Sequence, residues 1–334
     1  MLNNRQALVD HLHRLHDQLQ KALLAALTAA DVKSTVDDLS AVADVRGGDT
    51  IYAIDTIAED IIDAYCEEWA AAEGPLVLIS EGVEDAGWKV FPHDAREEDA
   101  RFLLIFDPID GTRNLMFNKR SSWALSGIAP NKGRETTLVD IEVAMMTELP
   151  TSRALLADQL WAIQGEGAFR RVRNLHDGSE QDAQIRPSQE TTLSHGFSSI
   201  AKFFPPGKAA MAEFEELLFE EVAPNTGENP LVFDDQYMTT GGQLYELMVG
   251  HDRFTADLRP VFFKKLGLPA KLVCHPYDIC VELIAREAGV IVVDEHGERL
   301  SALLDIRADV SWCGYANQAV HDRVQPVLER LLTA

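Results

Sequence analysis

The run Phe102-Leu-Leu-Ile-Phe106, followed at once by Asp107-Pro-Ile-Asp-Gly-Thr112, constrains this chain more than any other stretch. A short unbroken apolar run predicts a strand buried on both faces. At its end stand two carboxylates, Asp107 and Asp110. Pro108 between them fixes φ and removes a backbone donor, which predicts that the chain leaves the sheet in a stiff turn. Gly111 permits close backbone approach, and Thr112 offers a hydroxyl. Two acids on a rigid turn can share a hard divalent cation through their oxygens. A Gly-Thr pair just beyond can present N–H groups to an anion if a helix starts there. Together these positions point to metal-assisted chemistry on a phosphate. The same letters also fit an acidic surface turn after an edge strand, and only the rest of the chain can decide.

A chain of 334 residues with 46% hydrophobic content can bury a large core, as one domain of two joined halves. The polar segment His176–Gln189 predicts a surface loop between them, so the halves are placed at about 1–188 and 189–334. The net charge of −24 predicts repulsion from nucleic acid and anionic membranes. So acidic a chain can attract a phosphate only if cations sit at the site. No stretch approaches ~18 uninterrupted apolar residues. The first residues lack a basic region leading into an apolar one. Cys66, Cys274, Cys280 and Cys313 form no C-x-x-C pair and fit reduced core thiols. A cytoplasmic location is the expectation.

Residues 2–30 carry Leu8, His11, Leu12, Leu15, Leu19 and Ala22 at helical spacing. His11, His13 and His16 cannot converge on one metal, because at ~100° per residue 11 and 13 face nearly opposite ways; a partly solvated face is expected for them. Residues 31–48 read as a connection. A second helix is expected over about 50–71, with Asp55 on its apolar stripe beside Ile51 and Ala58, where an acid calls for a partner. Pro75–Ser80 repeats the pattern of an apolar run capped by an acid, Glu81, and residues 82–101 read as a loop. Strands are expected over 122–129 and 139–146, a hairpin over 153–169 turning at Gly165-Glu-Gly167, and helices over 211–222 and 241–250. Pro224–Pro230 reads as a loop between those helices. His275-Pro-Tyr-Asp278 opens a further helix that ends at Gly289, and Asp278 there suits an N-terminal cap. A strand follows over 290–294.

Taken in order, Ala53-Ile-Asp55-Thr56, Ile79-Ser-Glu81, Asp107–Thr112 with Asn114, Gly165–Phe169, Gly241–Gly250 and Asp278–Gly289 resemble the inositol monophosphatase family. That family lies within the fructose-1,6-bisphosphatase/inositol phosphatase superfamily of magnesium-dependent, lithium-sensitive phosphatases. The resemblance implies an α+β fold, a layered αβαβα sandwich with metals where the halves meet, and a homodimer. It implies that Glu81, Asp107 and the Ile109 carbonyl bind one Mg²⁺ and that Asp107, Asp110 and Asp278 bind a second. Glu81 reaches a third ion through water. By the same resemblance Asp110, Gly111 and Thr112 meet the phosphate, while Asp55, Glu81 and Thr112 serve the attacking water. The implied reaction is Mg²⁺-dependent hydrolysis of a small polyol or sugar phosphate. Fructose-1,6-bisphosphatase and 3′(2′),5′-bisphosphate nucleotidase are the alternatives, with a non-catalytic metal-binding relative behind them.

Departures concern the substrate. Ser80-Glu-Gly82 lacks the adjacent second acid usual in the family, Tyr277 stands where Trp is usual, and Arg113 replaces a smaller residue. Relatives that use inositol carry a hydroxyl-binding acid seven residues before the last metal aspartate. Here that position is Lys271, and Asp257 serves instead only if the intervening segment is an insertion.

Overall fold

The computed structural model describes residues 2–33, 42–46, 49–81, 83, 87–224, 227 and 229–333; for 31–33, 42–46 and 49–51 it describes the backbone alone. Helices α1 (Arg5–Lys33) and α2 (Ala53–Glu73) flank a small hairpin, β1 (Val42–Arg46) and β2 (Asp49–Tyr52). An eight-stranded sheet follows. It contains β3 (Leu76–Ser80), β4 (Trp88–Phe91), β5 (Phe102–Asp110), β6 (Ser122–Pro130), β7 (Val143–Leu149), β8 (Leu156–Ile163), β9 (Gly167–Asn174) and β10 (Glu180–Ala183), in the order 10-9-8-7-6-5-3-4. A one-turn helix α3 (Thr112–Met116) leaves β5.

The second sheet is built from β11 (Gly196–Ile200), β12 (Val232–Phe233), β13 (Asp252–Asp257), β14 (Ile291–Val293) and β15 (Trp312–Tyr315), in the order 12-11-13-15-14. Helices α4 (Lys208–Val222), α5 (Thr240–Met248), α6 (Arg259–Leu266), α7 (Pro276–Ile279), α8 (Glu282–Glu287) and α9 (Gln318–Thr333) complete the chain.

Strand alternation creates the layers. On β5, Phe102, Leu104 and Phe106 pack with Leu12, Leu15 and Leu19 of α1 and Ile54, Ala58 and Trp69 of α2. Leu103 and Ile105 point the other way, into a core shared with Leu244 of α5, Ile279 of α7, Leu283 of α8 and Trp312 of β15. The far face of the second sheet, with Phe254 and Tyr315, packs on Leu218 of α4, Phe262 of α6 and Val324 of α9. The order is therefore helix, sheet, helix, sheet, helix, an αβαβα sandwich. No described helix is long and apolar enough to cross a membrane, and all four cysteines are buried without a disulfide.

Only one neighbouring pair in the large sheet, β3 and β5, runs parallel. Both strands therefore end at the same edge, and because Ser80 pairs with Phe106, Glu81 follows level with Asp107. The expected turn at Pro108 is instead a bulge within β5. Asp107 pairs with Leu125 and Asp110 with Trp123, so three steps on β5 face two on β6. Pro108 has no N–H for the ladder, and the extra residue absorbs that defect.

Other expectations shift for similar reasons. The stretch 82–101 contains β4, antiparallel to β3, and a 3₁₀ turn over Glu97–Asp99. The loop expected over 176–189 contributes β10, which pairs with β9 at the sheet's margin. The strand expected from 139 begins at Val143, after a 3₁₀ turn Leu138–Asp140. The second helix starts at Ala53, because 49–52 already belong to the hairpin. The helix expected from 275 to 289 divides into α7 and α8, where the Cys280 carbonyl closes on Gly127 so tightly that a Cβ there would stand 3.1 Å away. Of the connection 31–48, residues 34–41, 47 and 48 lie outside the described residues, as do 225, 226 and 228 of the loop 224–230.

The α1 histidines part company, and the solvated face expected for them fails at His16. That ring is fully buried, with Nδ1 2.9 Å from Thr147 Oγ1 and Nε2 2.8 Å from Ser126 Oγ. His11 stacks on Trp69 and bonds Tyr65 and Glu73, while His13 bonds Gln159.

Candidate active site

The parallel edge, the bulge and the start of α7 bring three acids together. Asp107, Asp110 and Asp278 each offer one carboxylate oxygen, and the three oxygens all lie within 4.8 Å of one another. Two positions three apart on a regular strand face opposite ways; the extra residue of the bulge removes that conflict for Asp107 and Asp110. Asp107 Oδ1 accepts the Ile109 N–H at 3.0 Å, which closes the bulge on itself. Asp278 Oδ2 accepts the N–H of His275 at 2.6 Å, the cap expected at a helix start. Asp110 serves a helix too. Its Oδ2 accepts the Gly241 N–H at 2.6 Å and its Oδ1 the Thr240 N–H at 3.3 Å, so a carboxylate at the end of β5 caps α5.

Burial pushes all three carboxyls up, and for Asp107 and Asp110 repulsion by neighbouring acids adds to it. Asp107 is raised well above the usual carboxylate range by desolvation, then by Glu81, Asp110 and Asp278. Asp110 is raised by desolvation and Asp278, against the N–H groups of Gly241 and Thr240 and the positive charge of Arg259. Asp278 rises to about 6. Two like charges at this spacing repel by about 3–4 kcal/mol at an effective dielectric of ~20. Such a group of oxygen donors suits a hard divalent cation, whose charge offsets the repulsion.

These acids stand in a cavity of about 660 Å³, in the range of small-metabolite sites. Glu81, Ile109, Gly111 and Thr112 also line it. Glu81 is solvent-exposed at the end of β3 but near enough to raise Asp107. Gly111 has φ +89, and a Cβ there would stand 2.1 Å from Thr239 Cγ2, so only glycine fits between the bulge and α5. Thr112 Oγ1 has two acceptors in reach, the Ile109 carbonyl at 3.1 Å and Asp55 Oδ1 at 3.3 Å. Asp55 is half-buried; its other oxygen accepts the Tyr52 N–H at 2.9 Å, and desolvation raises its carboxyl. Asp55 thus has the partner that its place on the stripe calls for.

The two substrate positions separate. Lys271 lines the cavity. Asp257 does not; it is fully buried at the end of β13, and both its oxygens are held by Arg259. Arg259 itself is a wall of the cavity, with its guanidinium 4.7 Å from the centre of the Phe203 ring. Sequence reading passed over Arg259 and over the Thr239–Gly242 turn. Thr239 Oγ1 accepts the Gly242 N–H at 2.8 Å, and the signal for that turn was a Thr-Thr-Gly-Gly cap ahead of an apolar helical stripe.

No family model matches the chain. It is 24% identical over 280 residues to a fructose-1,6-bisphosphatase/inositol-1-monophosphatase of Methanothermobacter thermautotrophicus, covering 83% of this chain and 82% of that protein. Its fold is similar to that of the extragenic suppressor protein SuhB from Bartonella henselae, with a TM-score of 0.64, 18% identity and 98% of each chain covered. It is also similar to fructose-1,6-bisphosphatase from Leishmania major, with a TM-score of 0.65, 14% identity, and 95% and 94% of the two chains covered.

Proposed function

We propose that the chain is a distant member of the fructose-1,6-bisphosphatase/inositol monophosphatase superfamily, a reading supported by its similarity to the relatives above, and that it is a Mg²⁺-dependent hydrolase of a small phosphomonoester. The observation that carries this reading is the triad Asp107, Asp110 and Asp278 set within 4.8 Å inside a metabolite-sized cavity. The carboxylate set suits Mg²⁺, which prefers oxygen ligands and keeps part of its water. In this reading Asp107, Asp110 and Asp278 hold ions, with Glu81 and the Ile109 carbonyl completing the set. A cation bound there neutralises phosphate oxygens and lowers the pKa of water.

The chain's own groups supply the proton path. The Thr112 hydroxyl has one hydrogen to donate, to Asp55 or to Ile109, so its lone pairs remain to accept a proton from water. When it accepts one, its own hydrogen moves toward Asp55, which desolvation makes a better base than an exposed carboxylate. Gly111 lets substrate approach the backbone, and no covalent nucleophile is needed because phosphoryl transfer depends on positioning and charge.

The division of labour follows the halves: residues to about 188 supply four of the acids and Thr112, and those from about 189 supply Asp278. A homodimer and competition by Li⁺ for the carboxylate oxygens belong to the same reading. The test is release of inorganic phosphate from a panel of phosphomonoesters with Mg²⁺ or EDTA. Turnover is expected only with Mg²⁺, and Asp107→Asn should remove it. Hydrolysis that survives both treatments would reject the reading.

A further inference from the structure

Arg113 stands where the family this chain resembles carries a smaller residue, and it borders the cavity one position after Thr112. It is exposed, and its guanidinium forms no ion pair or hydrogen bond with any described residue. What it meets is an aromatic face. The guanidinium lies 5.8 Å from the centre of the Tyr52 ring, within reach of a cation–π contact. Tyr52 stands just ahead of α2, and its N–H is the group that holds Asp55 Oδ2 at 2.9 Å.

That contact bears on a competition at Thr112. The hydroxyl's one hydrogen can go to the Ile109 carbonyl at 3.1 Å or to Asp55 Oδ1 at 3.3 Å, and Asp55 is the more distant. Hydrogen bonds between oxygens are best near ~2.7–2.8 Å, so a few tenths of an ångström more would hand the hydrogen to Ile109. Asp55 is carried by α2 and Thr112 by α3. Among the described residues, the polar contacts joining these two helix starts are that long hydrogen bond and the seat of Arg113 on Tyr52. Together they close a circuit through Arg113, Tyr52, Asp55 and Thr112. The charge of Arg113 also favours the ionised form of Asp55, the form that accepts a proton.

Building on the phosphatase reading, we propose that Arg113 is a positioning residue for the Thr112–Asp55 pair. Seated on the Tyr52 ring, it holds the start of α2 against α3, so that Thr112 donates to Asp55 and not to Ile109. It acts through Tyr52 and Asp55 and touches no reacting atom. A cation that bound substrate directly would be felt whatever stood at position 55, and that difference makes the two roles separable.

The test uses the full chain with Mg²⁺ and p-nitrophenyl phosphate, or the fastest phosphomonoester of the panel where that probe is not turned over. Arg113→Ala should lower kcat about fivefold and change KM by less than about twofold, the size of one exposed cation–π contact that serves the chemical step alone. Tyr52→Leu should reproduce the loss. Tyr52→Phe keeps the ring and Arg113→Lys keeps the charge, so both should recover most of the rate. In an Asp55→Asn background Arg113→Ala should cost less than about twofold, because the group it positions is gone. An unchanged kcat in Arg113→Ala, a loss carried by KM, or a full loss in the Asp55→Asn background would overturn the proposal while turnover left the phosphatase reading standing. If wild type hydrolyses no phosphomonoester, the phosphatase reading falls, and amide exchange at position 52 decides this inference. Exchange there should be about fivefold faster in Arg113→Ala than in wild type, with Arg113→Lys close to wild type. A rate untouched by Arg113→Ala would overturn the clamp itself.

Discussion

Asp110 Oδ2 accepts the backbone N–H of Gly241 at 2.6 Å, so a carboxylate from the end of β5 closes the first turn of α5 across 131 positions of sequence. The contact leaves no room for a side chain. A Cβ on Gly241 would stand 2.7 Å from Leu125 Cδ2, 3.1 Å from Asp110 Oδ2 and 3.2 Å from Trp123 Cβ. Gly241→Ala should therefore cost about 1–3 kcal/mol in urea unfolding, as overpacking of a dense core does. It should also lower Mg²⁺-dependent phosphate release at least tenfold, because Asp110 has to move. Full activity in a folded variant would show that Asp110 need not hold this position.

Gly111 is pinned from the same side. Gly111→Ala puts a methyl 2.1 Å from Thr239 Cγ2 and places alanine at φ +89. The two penalties are separable. Adding Thr239→Ser removes the methyl in the way but keeps the hydroxyl that caps Gly242. The double variant should recover part of the lost stability and leave about 1–3 kcal/mol of backbone strain. A double variant no more stable than the single one would place the whole penalty in the backbone.

The Thr112–Asp55 contact predicts a kinetic signature. Thr112→Val removes the hydroxyl proposed to bridge water to Asp55, and Asp55→Asn removes the proposed base. Each should lower kcat by about 10²–10⁴, the range for general base catalysis. Thr112→Ser should retain most of the rate, and Mg²⁺ affinity measured by calorimetry should change little, since neither residue belongs to the triad. Equal losses in Thr112→Ser and Thr112→Val would point to a packing role for the threonine methyl instead.

The sequence reading reached what local pattern controls. The apolar runs at 76–79 and 102–106 become central strands because burial on both faces leaves no polar residue in them. Pro108 announced a break, but not its kind. Whether a proline ends a strand or bulges it depends on whether a neighbour continues beyond, and β6 does, out to Ser122. β4 and β10 escaped notice because each is four residues long and exists only through its partner strand. The capping of α5 by Asp110 and the grip of Arg259 on Leu272 join residues 131 and 13 positions apart, and the parity of Asp107 and Asp110 is set by their pairing with Leu125 and Trp123 on β6. Nothing in local spacing encodes such contacts.

Two buried groups should give the metal-free protein opposing responses to pH. Asp278, raised from 3.8 to about 6, binds more protons in the folded state than in the unfolded one. Its contribution is therefore most favourable below about pH 4 and is lost as pH rises through about 6. His16, depressed from 6.5 to about 3 by burial, binds fewer protons when folded. Its contribution is present above pH 6.5 and is lost as pH falls toward 3. Each changes stability by at most about 1.4 kcal/mol per pH unit, so between pH 4 and 6 the two largely cancel. In EDTA, unfolding free energy followed by urea titration should then rise more steeply with pH in Asp278→Asn than in wild type. A His16→Gln variant, which keeps hydrogen bonds toward Thr147 and Ser126, should shift the slope the other way. Saturating Mg²⁺ should flatten the Asp278 effect, because binding requires the ionised carboxylates and stabilises the fold most at the pH where repulsion is greatest. Parallel pH profiles for wild type and Asp278→Asn in EDTA would mean that this carboxyl keeps an ordinary affinity for its proton despite its desolvation.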